Sequence, residues 1–177
     1  EGLMILCTGK KTKLLNTLHT EDKEYVASIE LGRTTPSFDL ETMFDHIYPL
    51  EKKIAYEKIR EILTRFEGEI EQMPPAYSAK SKKGVKAYHA ARKGETVELD
   101  PVPVKIHFIE LMEYYHPVLK IKVHCSKGTY IRSLAKDIGE ELRTGAHLIG
   151  LNRIRVGEYQ IENSISLNKF EQIVKSL

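Results

Sequence analysis

Two segments in the second half of the chain alternate apolar and polar residues with a period of two. This period is typical of β-strands that have one buried face and one face in water. The apolar positions of the two segments are Val102, Val104, Ile106 and Phe108, and Leu119, Ile121, Val123 and Cys125. Residues 25–31 and 148–161 also have strand composition, and the apolar run at 2–8 predicts a short buried strand.

Apolar residues recur at spacings of three and four in three other segments, which predicts amphipathic helices. Their apolar positions are Ile59, Ile62, Leu63 and Phe66, then Ile131, Leu134, Ile138 and Leu142, and finally Phe170, Ile173, Val174 and Leu177. Thr129 is the expected N-cap of the middle helix, and Gly145 is its expected C-terminal stop. Residues 10–18 predict a short helix or a turn, and residues 85–93 predict another short helix.

Strands outnumber helices, and neighbouring strands are expected to pair as antiparallel meanders, so the predicted class is α+β. A length of 177 residues is typical of one domain with room for a small lobe. The longest apolar run, at 3–7, is far shorter than the roughly 20 residues of a membrane-spanning helix. No signal peptide is visible, and we expect no contact with a membrane.

Cys7 and Cys125 form no Cys-x-x-Cys pair, and both lie among strand-like apolar residues. We expect both to be buried and reduced, as in a cytosolic protein. The seven histidines are scattered, and none has the i, i+4 spacing beside a glutamate that a helical zinc site needs. We therefore predict no metal site.

The formal net charge is only +2, but residues 72–94 carry six Lys and Arg and no acidic residue. The basic residues are Lys80, Lys82, Lys83, Lys86, Arg92 and Lys93. Tyr77 and Tyr88 lie among them. Basic residues interleaved with aromatic rings suit a nucleic-acid backbone and its bases. A solvated loop and helix face is an equally good interpretation of the charge pattern alone.

Three further residues lie where strands begin or end. Arg132 falls in the first turn of a predicted helix, where a cation opposes the helix dipole and needs an anion nearby. It is either a surface ion pair or a buried arginine that binds a carboxylate or phosphate. Tyr130 precedes it at the strand–helix junction and Tyr25 opens a strand, and each is either a packing residue or a functional one.

Several blocks of sequence resemble the tRNA pseudouridine synthase B (TruB) family, in the family's order and across nearly the whole chain. The most specific is Cys-Ser-Lys-Gly-Thr-Tyr-Ile-Arg-Ser-Leu at 125–134. The others are Gly-Ala-His-Leu at 145–148, Leu-Asn-Arg at 151–153, Pro-Pro-Ala-Tyr-Ser-Ala at 74–79, Asp-Lys-Glu-Tyr at 22–25, and Gly-Leu-Met-Ile-Leu-Cys-Thr-Gly at 2–9. The pattern is similar to that of the bacterial enzymes rather than their guide-RNA-dependent relatives.

The resemblance implies a pseudouridine synthase fold, with a mixed, mostly antiparallel central sheet flanked by helices and loops. It implies isomerisation of a T-loop uridine of tRNA to pseudouridine, without metal or cofactor. The family's nucleophile is an aspartate in a Gly-Thr-Leu-Asp-Pro-type loop, expected just before Gly2 and absent from this sequence. We therefore expect residues 1–177 to be a partial catalytic domain, incomplete at its N-terminus, inactive as given and without a C-terminal RNA-binding module. Neither Asp22 nor Asp39 matches the nucleophile motif.

By resemblance, Arg132 pairs with the catalytic aspartate and lowers the pKa of that carboxyl. Tyr130 removes the proton that completes the reaction, and it also contacts the substrate. Tyr25 stacks on the everted base, and Leu151 lines the base pocket. The resemblance further implies RNA contacts for a thumb-like segment at 74–94 and for positions outside it. The RNA-binding positions are Lys80, Lys82, Lys83, Lys86, Arg92, Lys127 and Arg153.

The implied partner is the T-stem-loop of tRNA, in the cytoplasm and without an obligate protein partner. One alternative is a non-catalytic RNA-binding protein or tRNA chaperone with the same fold. A weaker alternative is an enzyme that flips a nucleotide and excises its base.

Overall fold

The computed structural model describes residues 1–77, 81–82, 85–86 and 99–176. Its helices are α1 (Leu15–Thr20), α2 (Tyr56–Thr64), α3 (Ile131–Glu141) and α4 (Leu167–Lys175). Its strands are β1 (Lys23–Leu31), β2 (Arg33–Thr34), β3 (His46–Ile47), β4 (Gly68–Gln72), β5 (Ser81–Lys82), β6 (Val85–Lys86), β7 (Val102–Tyr115), β8 (Val118–Cys125), β9 (Ala146–Val156) and β10 (Tyr159–Gln160). Short 3₁₀ turns occupy Gly9–Leu14 and Ile161–Asn163.

Six strands form one sheet in the order β10-β9-β1-β8-β7-β4, and each neighbouring pair is antiparallel. Two short hairpins, β2–β3 and β5–β6, stand outside it. The α+β class and the antiparallel sheet predicted from the sequence are confirmed. None of the helices in the described ranges is long and apolar enough to cross a membrane.

Helices α2 and α3 pack on one face of the sheet, which we call the helix-covered face. The alternation in β1 directs Ala27, Ile29 and Leu31 to this face, where each is almost completely buried. They share a core with Ile59 and Leu63 of α2, and with the α3 and β8 side chains Leu134, Ile138, Ile121 and Val123. Burying these side chains contributes roughly 1.5–3 kcal/mol each, which makes this layer the main source of stability.

The other face, which we call the charged face, carries ionic side chains on the central strands. Glu24 of β1 lies opposite His124 of β8 and Arg155 of β9. It forms ion pairs with Arg155 at 2.7 Å and with Lys122 at 3.2 Å. Although partial burial raises it, these cations hold the pKa of Glu24 below its ordinary value.

Three predictions about local structure are wrong. Residues 2–8 form no strand: Gly2 makes a single parallel bridge to Arg153, and only the next residue, Leu3, is buried. A side chain at position 2 would collide with the Arg153 backbone, so glycine permits this approach. Cys7 is only partly buried because the chain leaves the sheet after Leu3, whereas Cys125 is buried as expected. Val85 and Lys86 lie in a strand rather than a helix, since they pair with β5, and the rest of that predicted helix lies outside the described residues.

Candidate active site

A five-residue turn joins β8 to α3 and is tied to the neighbouring strand β7. The Ser126 amide donates to the Lys105 carbonyl at 2.8 Å, and the Lys105 amide donates to Ser126 Oγ at 2.9 Å. The predicted N-cap, Thr129, is wrong: its hydroxyl turns back to the Ser126 carbonyl at 2.9 Å. The N-cap residue is Tyr130, in an extended conformation, and its side chain makes no capping hydrogen bond.

The Tyr130 backbone is held by a side chain from the far edge of the sheet. Gln72, the last residue of β4, is completely buried. Its Oε1 accepts from the Tyr130 amide at 2.7 Å, and its Nε2 donates to the Tyr130 carbonyl at 3.1 Å. Sequence reasoning missed Gln72, although the alternation in β4 places it on the same inward side as Ile70. A polar residue at an inward strand position needs a partner, and that signal would have identified it.

Arg132 lies two residues into α3 and binds two acceptors from other parts of the chain. Its Nη1 donates to Asp39 Oδ2 at 2.9 Å, and its Nη2 donates to the Tyr77 carbonyl at 3.0 Å. The side chains of Arg132 and Asp39 are 21% and 20% exposed, so this ion pair is more shielded than an ordinary surface salt bridge. A guanidinium has five N–H donors, and these contacts use two of them.

The acid beside Arg132 comes from the loop between β2 and β3. The Asp39 carboxylate also accepts from Ser37 Oγ at 2.6 Å and from the Glu41 amide at 3.0 Å. The resemblance implies that Arg132 pairs with an aspartate ahead of Gly2, whereas in the structure the carboxylate that accepts its hydrogen bond is that of Asp39. The two residues are 93 positions apart, so no local pattern relates them.

Tyr25 and Leu151 lie at the edge of the helix-covered face, where each packs against the core and is partly buried. Tyr25 of β1 lies opposite Arg153 of β9, and Ala27 lies opposite Leu151. Burial raises the pKa of the Tyr25 phenol above its ordinary value of 10, and the Arg153 guanidinium offsets only part of the change. Tyr25 is therefore neutral at physiological pH.

A shallow groove of about 350 Å³ runs beside these residues. It brings together Leu151 and the acid that binds Arg132, and its lining residues are Asp39, Leu40, Glu41, Leu148, Ile149, Gly150 and Leu151. The backbone amino group of Glu1 donates to the Leu151 carbonyl at 3.0 Å, so the start of the chain lies next to the groove. The predicted site residue Leu151 and Asp39, the acid that binds Arg132, thus border one depression.

The predicted RNA-binding residues fall in three settings. Arg153 is partly buried and donates from Nε and Nη2 to the Leu3 carbonyl at 3.0 and 2.7 Å, whereas Lys127 is exposed in the turn before α3. The backbones of Lys82 and Lys86 lie in the β5–β6 hairpin. Lys80, Lys83 and Arg92 lie outside the described residues.

Asp22, His107 and His124 come together on the charged face, with potential ligand atoms within 4.8 Å of one another. His107 Nε2 lies 2.9 Å from Asp22 Oδ2. Arg155 Nη2 lies 2.9 Å from His124 Nε2. A guanidinium only donates, so this contact uses the His124 lone pair that a metal ion would need. The absence of a metal site therefore stays a prediction.

Sequence comparisons agree with this architecture. The family model described as "TruB family pseudouridylate synthase (N terminal domain)" matches residues 1–131, and the "tRNA pseudouridylate synthase B C-terminal domain" model matches residues 132–176. The tRNA pseudouridine synthase B of Phocaeicola vulgatus is 52% identical over 171 residues, which are 97% of this chain and 72% of that protein. The protein of the same name from Flavobacterium johnsoniae is 43% identical over 171 residues, covering 97% of this chain and 74% of its own.

Solved structures give the same result at lower identity. A chain of a Cbf5–Nop10–Gar1 complex superposes with a TM-score of 0.67 and 28% identity, covering 92% of this chain and 39% of that chain. A chain of an H/ACA ribonucleoprotein bound to a substrate RNA containing 2′-deoxyuridine gives 0.66 and 25%, covering 96% and 40%. The chain is an α+β protein with the fold of the matched chains in these two structures. It belongs to the TruB family of pseudouridine synthases.

Proposed function

We propose that the protein isomerises a T-loop uridine of tRNA to pseudouridine. The nucleotide is everted, the N–C bond between base and ribose breaks, and the base turns over. A C–C bond then forms to the same ribose carbon, and the base carbon that forms it loses its proton. Membership of the TruB family supports this reaction, as does the name tRNA pseudouridine synthase B given to the relatives that match at 52% and 43% identity. The observation that carries the proposal is the mostly buried Arg132 side chain at the start of α3. It lies two residues from Tyr130, and it binds Asp39 and the Tyr77 carbonyl.

Asp39 is best suited to holding Arg132 rather than attacking the substrate. Its carboxylate already accepts from a guanidinium, a hydroxyl and an amide. Each of these bonds stabilises the anion and lowers its nucleophilicity. The nucleophile in the proposed mechanism is the family's loop aspartate, which the resemblance puts ahead of Gly2. A segment leading into Glu1 would arrive beside Leu151 and the groove that Asp39 borders.

Tyr25 and Leu151 supply an apolar edge suited to an everted uracil. Base eversion costs a few kcal/mol, and stacking on an aromatic ring is worth about 1–3 kcal/mol per base. Because the Tyr25 phenol stays neutral, it presents a ring without charge to the base. Tyr130 is the proposed proton acceptor in the last step of the isomerisation.

The basic segment at 74–94 is the proposed contact with the T-stem-loop backbone, and Lys127 and Arg153 are proposed to extend it. We expect the substitution of Lys80, Lys82 and Lys83 by Gln to weaken tRNA binding. It should also flatten the salt dependence of that binding, since fewer counterions are released. An unchanged salt slope would show that the segment does not contact the RNA backbone.

The proposed reaction needs tRNA, which is abundant in the cytoplasm, and no obligate protein partner. The test is a conversion assay with the purified natural full-length protein alone and a T-stem-loop hairpin, with pseudouridine detected by mass spectrometry. A hairpin with cytidine at the target position is the matched control. Conversion of the uridine supports the proposal. Tight binding without conversion would replace it with the RNA-binding or chaperone function, and release of free uracil would indicate base excision.

A further inference from the structure

We propose that Gln72 is a positioning residue for Tyr130: its amide group holds the tyrosine backbone so that the phenol meets the base. This inference rests on the proposed function. The geometry behind it is a matched pair of hydrogen bonds, in which Gln72 Oε1 accepts from the Tyr130 amide at 2.7 Å and Nε2 donates to the Tyr130 carbonyl at 3.1 Å. The two bonds hold the peptide units on both sides of the Tyr130 Cα, so they restrict its backbone torsions as well as its position.

The Tyr130 carbonyl shows why the second bond matters. It also accepts the first hydrogen bond of α3, from the Leu134 amide at 3.1 Å. A carbonyl oxygen has two lone pairs, so Leu134 and Gln72 together use its full capacity. The direction of the Tyr130 side chain is therefore set jointly by the helix that follows it and by Gln72.

Gln72 substitutes for a capping interaction that α3 does not make within itself. In a capping box, the third helical residue reaches back to the N-cap amide. The third residue here is Ser133, and its hydroxyl donates instead to the Met73 carbonyl at 2.8 Å. The N-cap amide is left to Gln72, from a strand 58 positions away.

The same stretch of chain also holds Arg132, through the Tyr77 carbonyl at 3.0 Å. Residues 72–77 thus contact the Tyr130 backbone and the Arg132 side chain, and they include the start of the basic segment at 74–94. The Gln72 side chain is completely buried, and both of its hydrogen bonds go to one residue, Tyr130. A change there should therefore affect the tyrosine more than RNA binding.

The test compares two variants of the natural full-length protein. Gln72→Met keeps the side-chain volume and removes both bonds to Tyr130. Ser133→Ala removes the neighbouring bond to Met73 and leaves the Gln72–Tyr130 pair intact. We expect Gln72→Met to lower the single-turnover rate at least tenfold, with tRNA affinity within about twofold of wild type. Both variants should lose thermal stability, but Ser133→Ala should keep the wild-type rate.

Two further measurements separate positioning from a purely structural role. In a Tyr130→Phe background, adding Gln72→Met should lower the rate by less than twofold, because both changes act through the same side chain. Gln72→Glu should be rescued by acid: a protonated carboxyl donates and accepts like the amide, and burial raises its pKa. Its rate relative to wild type should rise as the pH is lowered.

Amide hydrogen exchange tests the bond between Gln72 and the Tyr130 amide without an activity assay. The Tyr130 amide should exchange faster in Gln72→Met than in wild type, and Ser133→Ala should leave it protected. Fast exchange with a wild-type rate would overturn the inference and leave the proposed function intact. Equal rate losses in Gln72→Met and Ser133→Ala, or additivity with Tyr130→Phe, would also overturn it. A wild-type protein without conversion would overturn the proposed function itself.

Discussion

The two faces of the central sheet are built from the same strands but stabilise the protein in different ways. On the helix-covered face, β1 and β8 contribute apolar side chains to a core shared with α2 and α3. On the charged face, the alternate residues of the same strands pair with one another, as Glu24 does with Lys122 and Arg155. One face is stabilised mainly by burial, and the other is neutralised locally by ion pairs.

The predicted site residues lie where the helix-covered face ends. The predicted site residues Tyr25 and Leu151 lie at the rim of the helix-covered face, where packing fixes their direction and burial is incomplete. Arg132 and Tyr130 lie at the start of the helix that covers that face. A site at the rim of a packed layer combines rigid support with access for a large substrate. The following predictions test this contrast, from the largest expected effect to the smallest.

The core of the helix-covered face should be the most sensitive to substitution. Leu134→Ala on α3 should lower the free energy of unfolding by about 2–5 kcal/mol, since it removes a completely buried side chain and leaves a cavity. Lys120→Ala on the charged face should cost less than about 0.5 kcal/mol. Urea denaturation measures both, and similar losses would contradict the contrast between the faces.

At the rim, Arg132→Met should lower the single-turnover rate of pseudouridine formation by about 10- to 150-fold. The proposed mechanism relies on this guanidinium to pair with the nucleophilic aspartate, and one hydrogen bond to a charged group is worth about 1.5–3 kcal/mol. Lys136→Met, one turn further along α3, is the control and should keep the wild-type rate. Full activity of the Arg132→Met enzyme would contradict a role for Arg132 in the reaction.

Tyr25→Ala should lower the same rate at least tenfold, because the everted base loses its stacking partner. Tyr25→Phe keeps the ring and should lose little, which separates stacking from any role of the hydroxyl. The rate is measured under single-turnover conditions, with enzyme in saturating excess over a T-stem-loop hairpin. Wild-type turnover by Tyr25→Ala would refute the proposal that the everted base stacks on Tyr25.

The charged face should show a small dependence of stability on pH. Partial burial, Arg155 and His107 hold the pKa of His124 below its ordinary value of 6.5, against the pull of Glu24 and Asp22. The unfolded chain therefore binds a proton more readily, so the stabilisation is present above pH 6.5 and is lost as the pH falls below it. The melting temperature should drop by a few degrees more in wild type than in His124→Gln between pH 7.5 and 5.5. His19→Gln, on the exposed α1, should follow wild type, and identical curves for all three proteins would contradict the prediction.

Local periodicity predicted most of the sheet and the helices, because burial of one face leaves a repeating mark on the sequence. It did not predict what each face contacts. The apolar stripes of α3 and α4 look alike in the sequence, yet Leu134 and Ile138 are completely buried, whereas Phe170 and Ile173 remain 43% exposed. An amphipathic pattern indicates a helix but not its partner.

The candidate site shows a different limit. Tyr25, Tyr130, Arg132 and Leu151 were predicted from resemblance to family motifs, but Asp39 and Gln72 were not. Both contact the α3 start from distant parts of the chain, and such contacts depend on how strands are ordered in the sheet. Their polar side chains carry no local periodic signal beyond the inward position of Gln72 in β4.

The unequal burial of the two cysteines has a practical consequence. Burial raises the pKa of the Cys125 thiol to about 11, so this sulfur hardly ionises in neutral solution and should resist alkylation. Cys7 is partly accessible and lies shortly after the backbone bridge that joins Gly2 to Arg153. A maleimide fluorophore should therefore attach at this one thiol, where its emission would report on movements of the chain beside the groove as RNA docks.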